Sequence, residues 1–279
     1  MNADLHCHSN VSDGLLNPRA LVQRAHENGV TLLALTDHDE LAGLSEARAA
    51  AEEFGVRFLD GVEISVSWGN DQTIHVVGLG VDPDYAVLDT GLAQLRGGRD
   101  ARARRMAQAL AEAGIAGAYE GALRYAGNPA LVGRSHFARY IVEAGHAPDV
   151  RSVFDHWLAR GKPGYVPHQW TTLATAVQWI HEAGGLAVIA HPGRYRVTKA
   201  ELRRLLGEFR DLGGDGIEVL SGSHSADEMQ AAARHAREFG LLASRGSDFH
   251  GPGESRVDLG RLPALPEGVE PIWKRLIRD

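Results

Sequence analysis

One cadence runs through most of this chain and limits what it can become: a short apolar strand, a polar loop, an amphipathic helix, then a glycine. Asn17-Pro18 reads as a helix N-cap followed by proline at the first helical position. That helix would bury Leu21, Val22 and Ala25 and stop at Gly29. Val30 to Leu35 then reads as a buried strand, and a second helix covers Leu41 to Phe54 before Gly55. Arg57-Phe58-Leu59 opens a strand that runs through Glu63. Ile64 to Trp68 and Thr73 to Leu79 flank Gly69-Asn70-Asp71, a hairpin signal that would fold His75 back beside the end of the Glu63 strand. The cadence resumes with a helix over Ala174 to Ala183, strands over Leu186 to Ala190 and Gly216 to Leu220, a helix over Ala226 to Phe239, and a last strand at Leu241 to Ser244. Strands alternating with helices imply an α/β fold with a mainly parallel sheet, and about seven strands come close to what a TIM-like barrel requires.

Between residues 92 and 164 the cadence breaks and the pattern is helical: Leu92–Ala113, Tyr119–Ala126, Ser135–Ala144 and Val150–Ala159. We therefore expect a barrel interrupted by a helical insertion, with residues 1–95 and 165–279 forming the barrel and 96–164 a cap. Gly161-Lys162-Pro163-Gly164 would return the chain to the barrel. No apolar run approaches the roughly 18 residues of a membrane span. A lone cysteine, Cys7, excludes an internal disulfide framework, and the start lacks the pattern of a secretory leader, so the expected compartment is the cytoplasm. The net charge of −7 is the wrong balance for coating duplex nucleic acid. A small anionic substrate stays compatible with it if carboxylates hold divalent metals.

The chain carries 14 histidines, and their placement says most about chemistry. Asp4, His6 and His8 alternate along one strand and so should share a face, with Asp13 in the loop that follows. Alone, a His-x-His pair can be ordinary polar residues at a strand end. Here the pattern recurs. Thr36-Asp37-His38 ends the second strand, Glu63 lies late in the third with His75 on its hairpin partner, His191 ends the Leu186 strand, and Asp248 and His250 follow the last one. All should gather at the carboxyl end of a parallel barrel, where barrel enzymes place their chemistry. Mixed nitrogen and carboxylate ligands suit zinc, manganese or iron better than magnesium alone. There are too many for one tetrahedral ion, so a multinuclear cluster follows, with Glu63 or Asp248 able to bridge.

Four of these segments resemble the motifs of the polymerase and histidinol phosphatase (PHP) superfamily: Asp4-Leu5-His6-Cys7-His8, Thr36-Asp37-His38-Asp39, Ala190-His191-Pro192 and Ser247-Asp248-Phe249-His250. The resemblance implies a distorted seven-stranded (β/α) barrel with two or three divalent transition ions, manganese foremost and zinc, iron or cobalt as alternatives. It implies that His6, His8, Glu63 and Asp248 hold one ion, that Asp13, His38 and His250 hold a second, and that His75 and His191, with Glu63 bridging, hold a third. Asp4 and Asp37 would orient imidazoles from behind. The helical insertion and Gly216-Ile217-Glu218-Val219-Leu220-Ser221 are similar to the nucleoside 3′,5′-bisphosphate phosphatases of that superfamily. Some members of that subgroup also trim 5′-phosphorylated oligoribonucleotides. Hydrolysis of the 3′-phosphate of such a bisphosphate is the activity the resemblance implies.

Substrate contacts are expected from Arg99, one of several arginines (Arg96, Arg99, Arg102, Arg104, Arg105) at the start of the insertion, and from Arg134-Ser135 at a helix start. Arg194, just after His191, and His224, just after the Ser221 strand, should lie on the rim of the same mouth. His191 or His224 would protonate the leaving alkoxide, and Asp13 completes the expected catalytic set. His26, His136, His146, His156, His168, His181 and His235 read as surface or packing residues, and Trp157, Trp170, Trp179 and Trp273 read as core residues, of which only Trp170, near the returning linker, is a candidate base-stacking surface. Three other readings share parts of this pattern. A histidinol-phosphate phosphatase needs no nucleobase site, an amidohydrolase would want a bridging lysine, and a non-catalytic module for phosphorylated RNA ends would not need so complete a ligand set.

Overall fold

The structure is a computed structural model that describes residues 1–69 and 72–277. Seven strands form one sheet in sequence order: β1 (Ala3–Asp4), β2 (Leu32–Leu35), β3 (Arg57–Trp68), β4 (Gln72–Leu79), β5 (Leu186–Ile189), β6 (Gly216–Ser221) and β7 (Leu242–Gly246). β4 runs antiparallel to both β3 and β5, and every other pairing is parallel. The ends meet: Leu5 N donates to Arg245 O at 2.9 Å, Asp248 N to His6 O at 2.8 Å and His8 N to Phe249 O at 2.9 Å. Those bonds bring the last strand back to the first and make the sheet a nearly closed barrel. The expected Gly69-Asn70-Asp71 turn falls partly on residues 70 and 71, which lie outside the described residues.

Local chemistry explains the surrounding helices. Asn17 caps α1 (Pro18–Glu27), its side chain accepting from Ala20 N at 2.7 Å, and Leu21, Val22 and Ala25 are buried as the spacing predicts. α2 (Leu44–Phe54) stops at Gly55, which adopts φ 70°. β2 is apolar on both faces because both are covered: Leu33 and Leu35 join the core beneath the helices, while Leu32 and Ala34 join Leu5, Val77, Val188 and Leu242 inside the barrel.

The single helix expected over Leu92–Ala113 is two, α3 (Ala86–Gly97) and α4 (Arg99–Glu112). The break falls at Gly98, where a β-carbon would stand 2.6 Å from the His168 ring. α3 packs Leu88, Leu92 and Leu95 onto the barrel, whereas α4 begins a second core. That core gathers Met106 and Leu110 with residues of α5 (Ala118–Leu123), α6 (Arg134–Glu143), α7 (Val150–Val153) and a π-helical turn at Phe154–Leu158. After it come α8 (Leu173–Glu182), α9 (Lys199–Asp211), α10 (Ala226–Phe239) and the short α11 (Trp273–Leu276). Among the described residues no helix is long and apolar enough to cross a membrane.

Candidate metal centre

Residues within or after six of the seven strands, all but β6, meet in one cluster above the barrel. His6 Nε2 and His8 Nε2 lie 3.1 Å apart, each 3.4 Å from a Glu63 oxygen and within 3.6 Å of Asp248 Oδ1. His75 Nδ1 and His191 Nε2 lie 3.3 Å apart, and each is 2.9 Å from Glu63 Oε1. His38 Nδ1 reaches the other Glu63 oxygen at 2.8 Å. Asp13 Oδ1 lies 3.3 Å from His250 Nε2 and 4.0 Å from His8 Nδ1. All nine residues expected as metal ligands are therefore neighbours. They form four overlapping groups: His8, Asp13, His38 and His250; His6, His8 and Asp248; His6, Glu63 and His191; His38, Glu63 and His75. Glu63 belongs to two of them, as a bridging carboxylate would.

The donor chemistry fits cations. Two pairs of imidazole nitrogens face each other at about hydrogen-bond distance, and His8 Nδ1 and His191 Nδ1 are buried without a hydrogen-bond partner. Orphaned lone pairs at that density are costly unless a positive charge sits among them. Burial would raise the Glu63 carboxyl, but His75, His38 and His6 hold it well below its ordinary value. Burial and the charges of His250 and His38 push His8 down to about 3, and burial pushes His75 down to about 4. Ionised carboxylates and neutral imidazoles are what divalent ions bind; against their burial, neighbouring carboxylates raise His6, His38 and, to about 9, His250, so bound ions would displace protons from those three.

What holds the ligands differs from expectation. Among the described residues, Asp4 and Asp37 bond no imidazole. Asp37 accepts from Ser9 N at 2.8 Å, Ser9 Oγ at 2.6 Å and Ser12 Oγ at 2.5 Å, tying down the loop that carries Asp13. Asp4 accepts from Ser247 N and Gly260 N, both at 2.8 Å. Regular pairing ends at Asp4, and Ala3 and Leu5 pack in the barrel interior while Cys7 packs in the outer core, so the alternation does not carry through His6. The supporting carboxylate is instead Glu218 of β6, whose Oε1 accepts from His6 Nδ1 at 2.5 Å and whose Oε2 accepts from His191 N at 2.6 Å. A glutamate midway along a strand buried at every position was the available signal. Three non-glycine residues adopt positive φ among the described residues: Asp39 at 51°, His191 at 28° and Asp248 at 53°. All three follow barrel strands at this centre, and such conformations persist only where their surroundings over-determine them.

A hollow of about 100 Å³ opens over the ligands, with Arg99, Arg102, Arg134, Arg194 and Trp170 on its wall. Arg99 is paired with Asp39, and Arg194 Nη1 donates to Asp248 Oδ2 at 2.5 Å. The guanidiniums of Arg99 and Arg102 lie 4.7 and 5.6 Å from the Trp170 ring, and Arg134 lies 5.8 Å from the Phe154 ring. Neither Arg102 nor Arg134 has a carboxylate partner among the described residues. Burial, then the charges of Arg134 and Arg99, push Arg102 down to about 9. Burial and the charges of Arg194 and Arg99 lower Arg134 as well. Ser135 Oγ donates to Asp13 Oδ2 at 2.7 Å, joining α6 to the cluster. Arg139 donates to Asp13 O at 2.6 Å and pairs with Glu254 at 2.8 Å, which pins the same helix. Of the other insertion arginines, Arg96 donates to Asp39 O at 2.7 Å and Arg104 points outward to Asp100.

His224 does not reach this hollow. Its ring is buried, Nε2 accepts from Gly193 N at 3.1 Å and Nδ1 faces Val219 O at 3.4 Å. The ring sits against the Pro192–Arg194 turn, with both nitrogens turned to backbone, so it holds that turn in place of the substrate contact or proton donor expected from its position. His136, read as a packing residue, is buried and accepts from Gly133 N at 3.0 Å at the start of α6. Lys162, Lys199 and Lys274 are exposed, so none supplies an amidohydrolase-type bridge.

Comparison with known proteins agrees with this geometry. The profile of the PHP domain matches residues 4–160. The chain is 53% identical over 275 residues to a 3′,5′-nucleoside bisphosphate phosphatase of Chromobacterium violaceum, covering 99% of this chain and 96% of that one. It is 47% identical over 273 residues to a 5′-3′ exoribonuclease of Salmonella typhimurium, covering 97% and 92%. A solved structure described as an amidohydrolase from Chromobacterium violaceum, with bound sulfate and no metal, superposes with a TM-score of 0.96 at 52% identity, over 99% of this chain and 96% of that one.

Proposed function

Because the chain belongs to the PHP domain family, we propose that it is a metal-dependent phosphoesterase that removes the 3′-phosphate of nucleoside 3′,5′-bisphosphates. The observation that carries the substrate class is the uncompensated pair Arg102 and Arg134, set over a cluster of metal-type ligands that would hold the reacting phosphate. One phosphate alone does not call for two further cations on the wall of the hollow. A second, nonreacting phosphate does, and a guanidinium suits it because its planar fork can grip two oxygens at once.

His6, His8, Glu63 and Asp248, with Asp13, His38, His250, His75 and His191, would hold two or three ions, for which manganese is our choice among the transition metals. Such ions, when bound, lower the pKa of water and neutralise phosphoryl oxygens. The chain's own residues do the rest. Arg194, fixed by Asp248, stands beside the reacting phosphate. Arg134 and Arg102, with Arg99 braced on Asp39, hold the remote one. Ser135, bound to Asp13, fixes the approach of α6, and Trp170 backs the arginines. His191 presents Nε2 to Glu63, so we assign it to the ions and not to proton transfer. The helical segment 96–164 acts as the cap that brings Arg99, Arg102 and Arg134 over the barrel, and we place the protein in the cytoplasm.

The test is phosphate release from a nucleoside 3′,5′-bisphosphate, a mononucleotide and histidinol phosphate by wild type and Arg134→Ala. Losing one charge-assisted contact of roughly 1.5–3 kcal/mol should lower kcat/KM by about one to two decades on the bisphosphate and little on the monophosphates. Equal loss on all three would put Arg134 at the reacting phosphate, and a wild-type preference for histidinol phosphate would overturn the proposal.

A further inference from the structure

The arginines on the wall of the hollow are held in two different ways. Arg99 and Arg194 each have a carboxylate, Asp39 and Asp248. Arg102 and Arg134 have none among the described residues, and each lies over an aromatic ring instead, Arg102 5.6 Å from Trp170 and Arg134 5.8 Å from Phe154. The difference matters to an incoming anion. A carboxylate fixes a guanidinium by cancelling its charge, and a phosphate must then compete for it. A ring attracts the same cation through its quadrupole, which carries no net charge, so the field above the arginine survives. Trp170 serves two guanidiniums in this way, Arg102 and, at 4.7 Å, Arg99.

Local structure keeps that indole in place. The segment returning from the cap is stitched to β3, where Ser67 N donates to Thr171 O at 3.0 Å and Trp170 N donates to Ser67 Oγ at 2.9 Å. Three alternate residues of the segment meet the start of α4. Val166 O accepts from Arg102 Nε at 3.1 Å, the His168 ring lies against Gly98, and Trp170 lies beneath Arg99 and Arg102. The His168 ring stands edge-on to the indole, with centroids 4.2 Å apart. Burial, then the charges of Arg102, Arg99 and Arg105, lower His168, so this neighbour is neutral near pH 7 and adds no charge of its own.

Resting on the bisphosphate reading above, we propose that Trp170 is a positioning residue that sets selectivity for the second phosphate: it holds Arg102 over the hollow without neutralising it, so that the nonreacting phosphate becomes the counter-ion of Arg102. A base-stacking platform, the role its place near the linker suggests, would need an open face. Here two guanidiniums and an imidazole already pack around the indole. Trp170 therefore acts on the substrate through Arg102 and is indifferent to the base. Without the ring, the bond from Nε to Val166 O is the hydrogen bond left to steer the Arg102 guanidinium among the described residues. Arg99 keeps Asp39 and is affected less.

The test measures kcat and KM for wild type, Trp170→Leu, Trp170→Phe, Arg102→Ala and Arg102→Ala/Trp170→Leu, with the ion content of each checked by elemental analysis. The substrates are a nucleoside 3′,5′-bisphosphate, its abasic analogue with hydrogen in place of the base, and the nucleoside 3′-monophosphate. Trp170→Leu should lower kcat/KM on both bisphosphates by the same factor, roughly ten-fold and borne by KM, with a much smaller loss on the monophosphate and unchanged ion content. Trp170→Phe keeps a weaker π face and should lose about two- to three-fold, which reads the proposal even if the leucine variant does not fold. In the Arg102→Ala background, Trp170→Leu should add little, because the ring acts through the guanidinium. A loss confined to the base-bearing bisphosphate would make Trp170 a base platform and overturn the proposal. So would an equal loss on the monophosphate, an additive loss in the double variant, or full activity in both Trp170 variants. Those results leave the bisphosphate reading standing. A wild type that turns over the 3′-monophosphate as well as the bisphosphate sinks that reading, and this proposal with it.

Discussion

Glu218→Gln is the substitution that best separates holding a ligand from being one. The glutamate accepts two hydrogen bonds from two donors, His6 Nδ1 at 2.5 Å and His191 N at 2.6 Å. Glutamine has nearly the same shape but only one acceptor end. Its amide NH₂ must face one of the two donors, so either His6 loses the partner that fixes its tautomer or His191 loses the bond that restrains its φ of 28°. Either way a charge-assisted bond is replaced by opposed donors, which costs the metal-free protein about 1–3 kcal/mol. Partners of this kind behind metal-ligating histidines are worth roughly 10–100-fold in metal affinity. The expected outcome is a folded variant, melting somewhat lower, that releases its ions to a competing chelator at about 10–100-fold lower chelator strength. Chelator titration followed by elemental analysis reads this without using turnover. A folded Glu218→Gln protein with wild-type ion retention would show that the carboxylate merely fills space and would refute the argument.

Elemental analysis of carefully prepared protein should find two or more divalent transition ions per chain, because the overlapping groups around Glu63 offer more ligands than one ion can use. Full activity with no more than one ion would remove the multinuclear reading. Asp248→Ala should lower phosphate release by about two decades or more without unfolding the barrel, since it deletes a ligand-type oxygen and frees Arg194 from the 2.5 Å contact that places it. Near-normal turnover in metal-replete Asp248→Ala would contradict the assignment.

Much of this was legible in the sequence, for identifiable reasons. The βα cadence places residues at strand ends by geometry alone, so gathering His6, His38, Glu63, His191 and Asp248 at one mouth required only the strand count and the right end of the barrel. The hairpin signal carried His75 to Glu63 in the same way. Legibility failed where a side chain's direction depended on departures from regular structure. The two residues of β1 end before His6, so alternation misassigned Asp4. His224 follows its strand as a rim residue should, yet it turns beneath the Pro192–Arg194 loop and bonds the backbone of Gly193, a contact that no spacing rule encodes. Of the clustered insertion arginines, helix α4 aims Arg99 and Arg102 at the cavity and Arg104 at Asp100, which depends on where Gly98 resets the helix phase.

The same departures explain why the centre is costly without ions. Asp39, His191 and Asp248 each hold a backbone conformation worth about 1–3 kcal/mol of strain, and each is pinned by a charge-assisted contact: Asp39 by Arg99, His191 N by Glu218, and Asp248 by Arg194. Two of the three pins are arginines on the wall of the hollow, Arg99 from the cap and Arg194 from the barrel's own Pro192–Arg194 turn. Ligand geometry on the barrel and cation placement above it are therefore set by one network. A change that moves the cap should disturb the Asp39 loop through Arg99, and loss of ions should loosen Arg194 through Asp248. Substrate phosphates arriving between the two layers would meet charges already held in place from both sides, which is the preorganisation that phosphoryl transfer rewards.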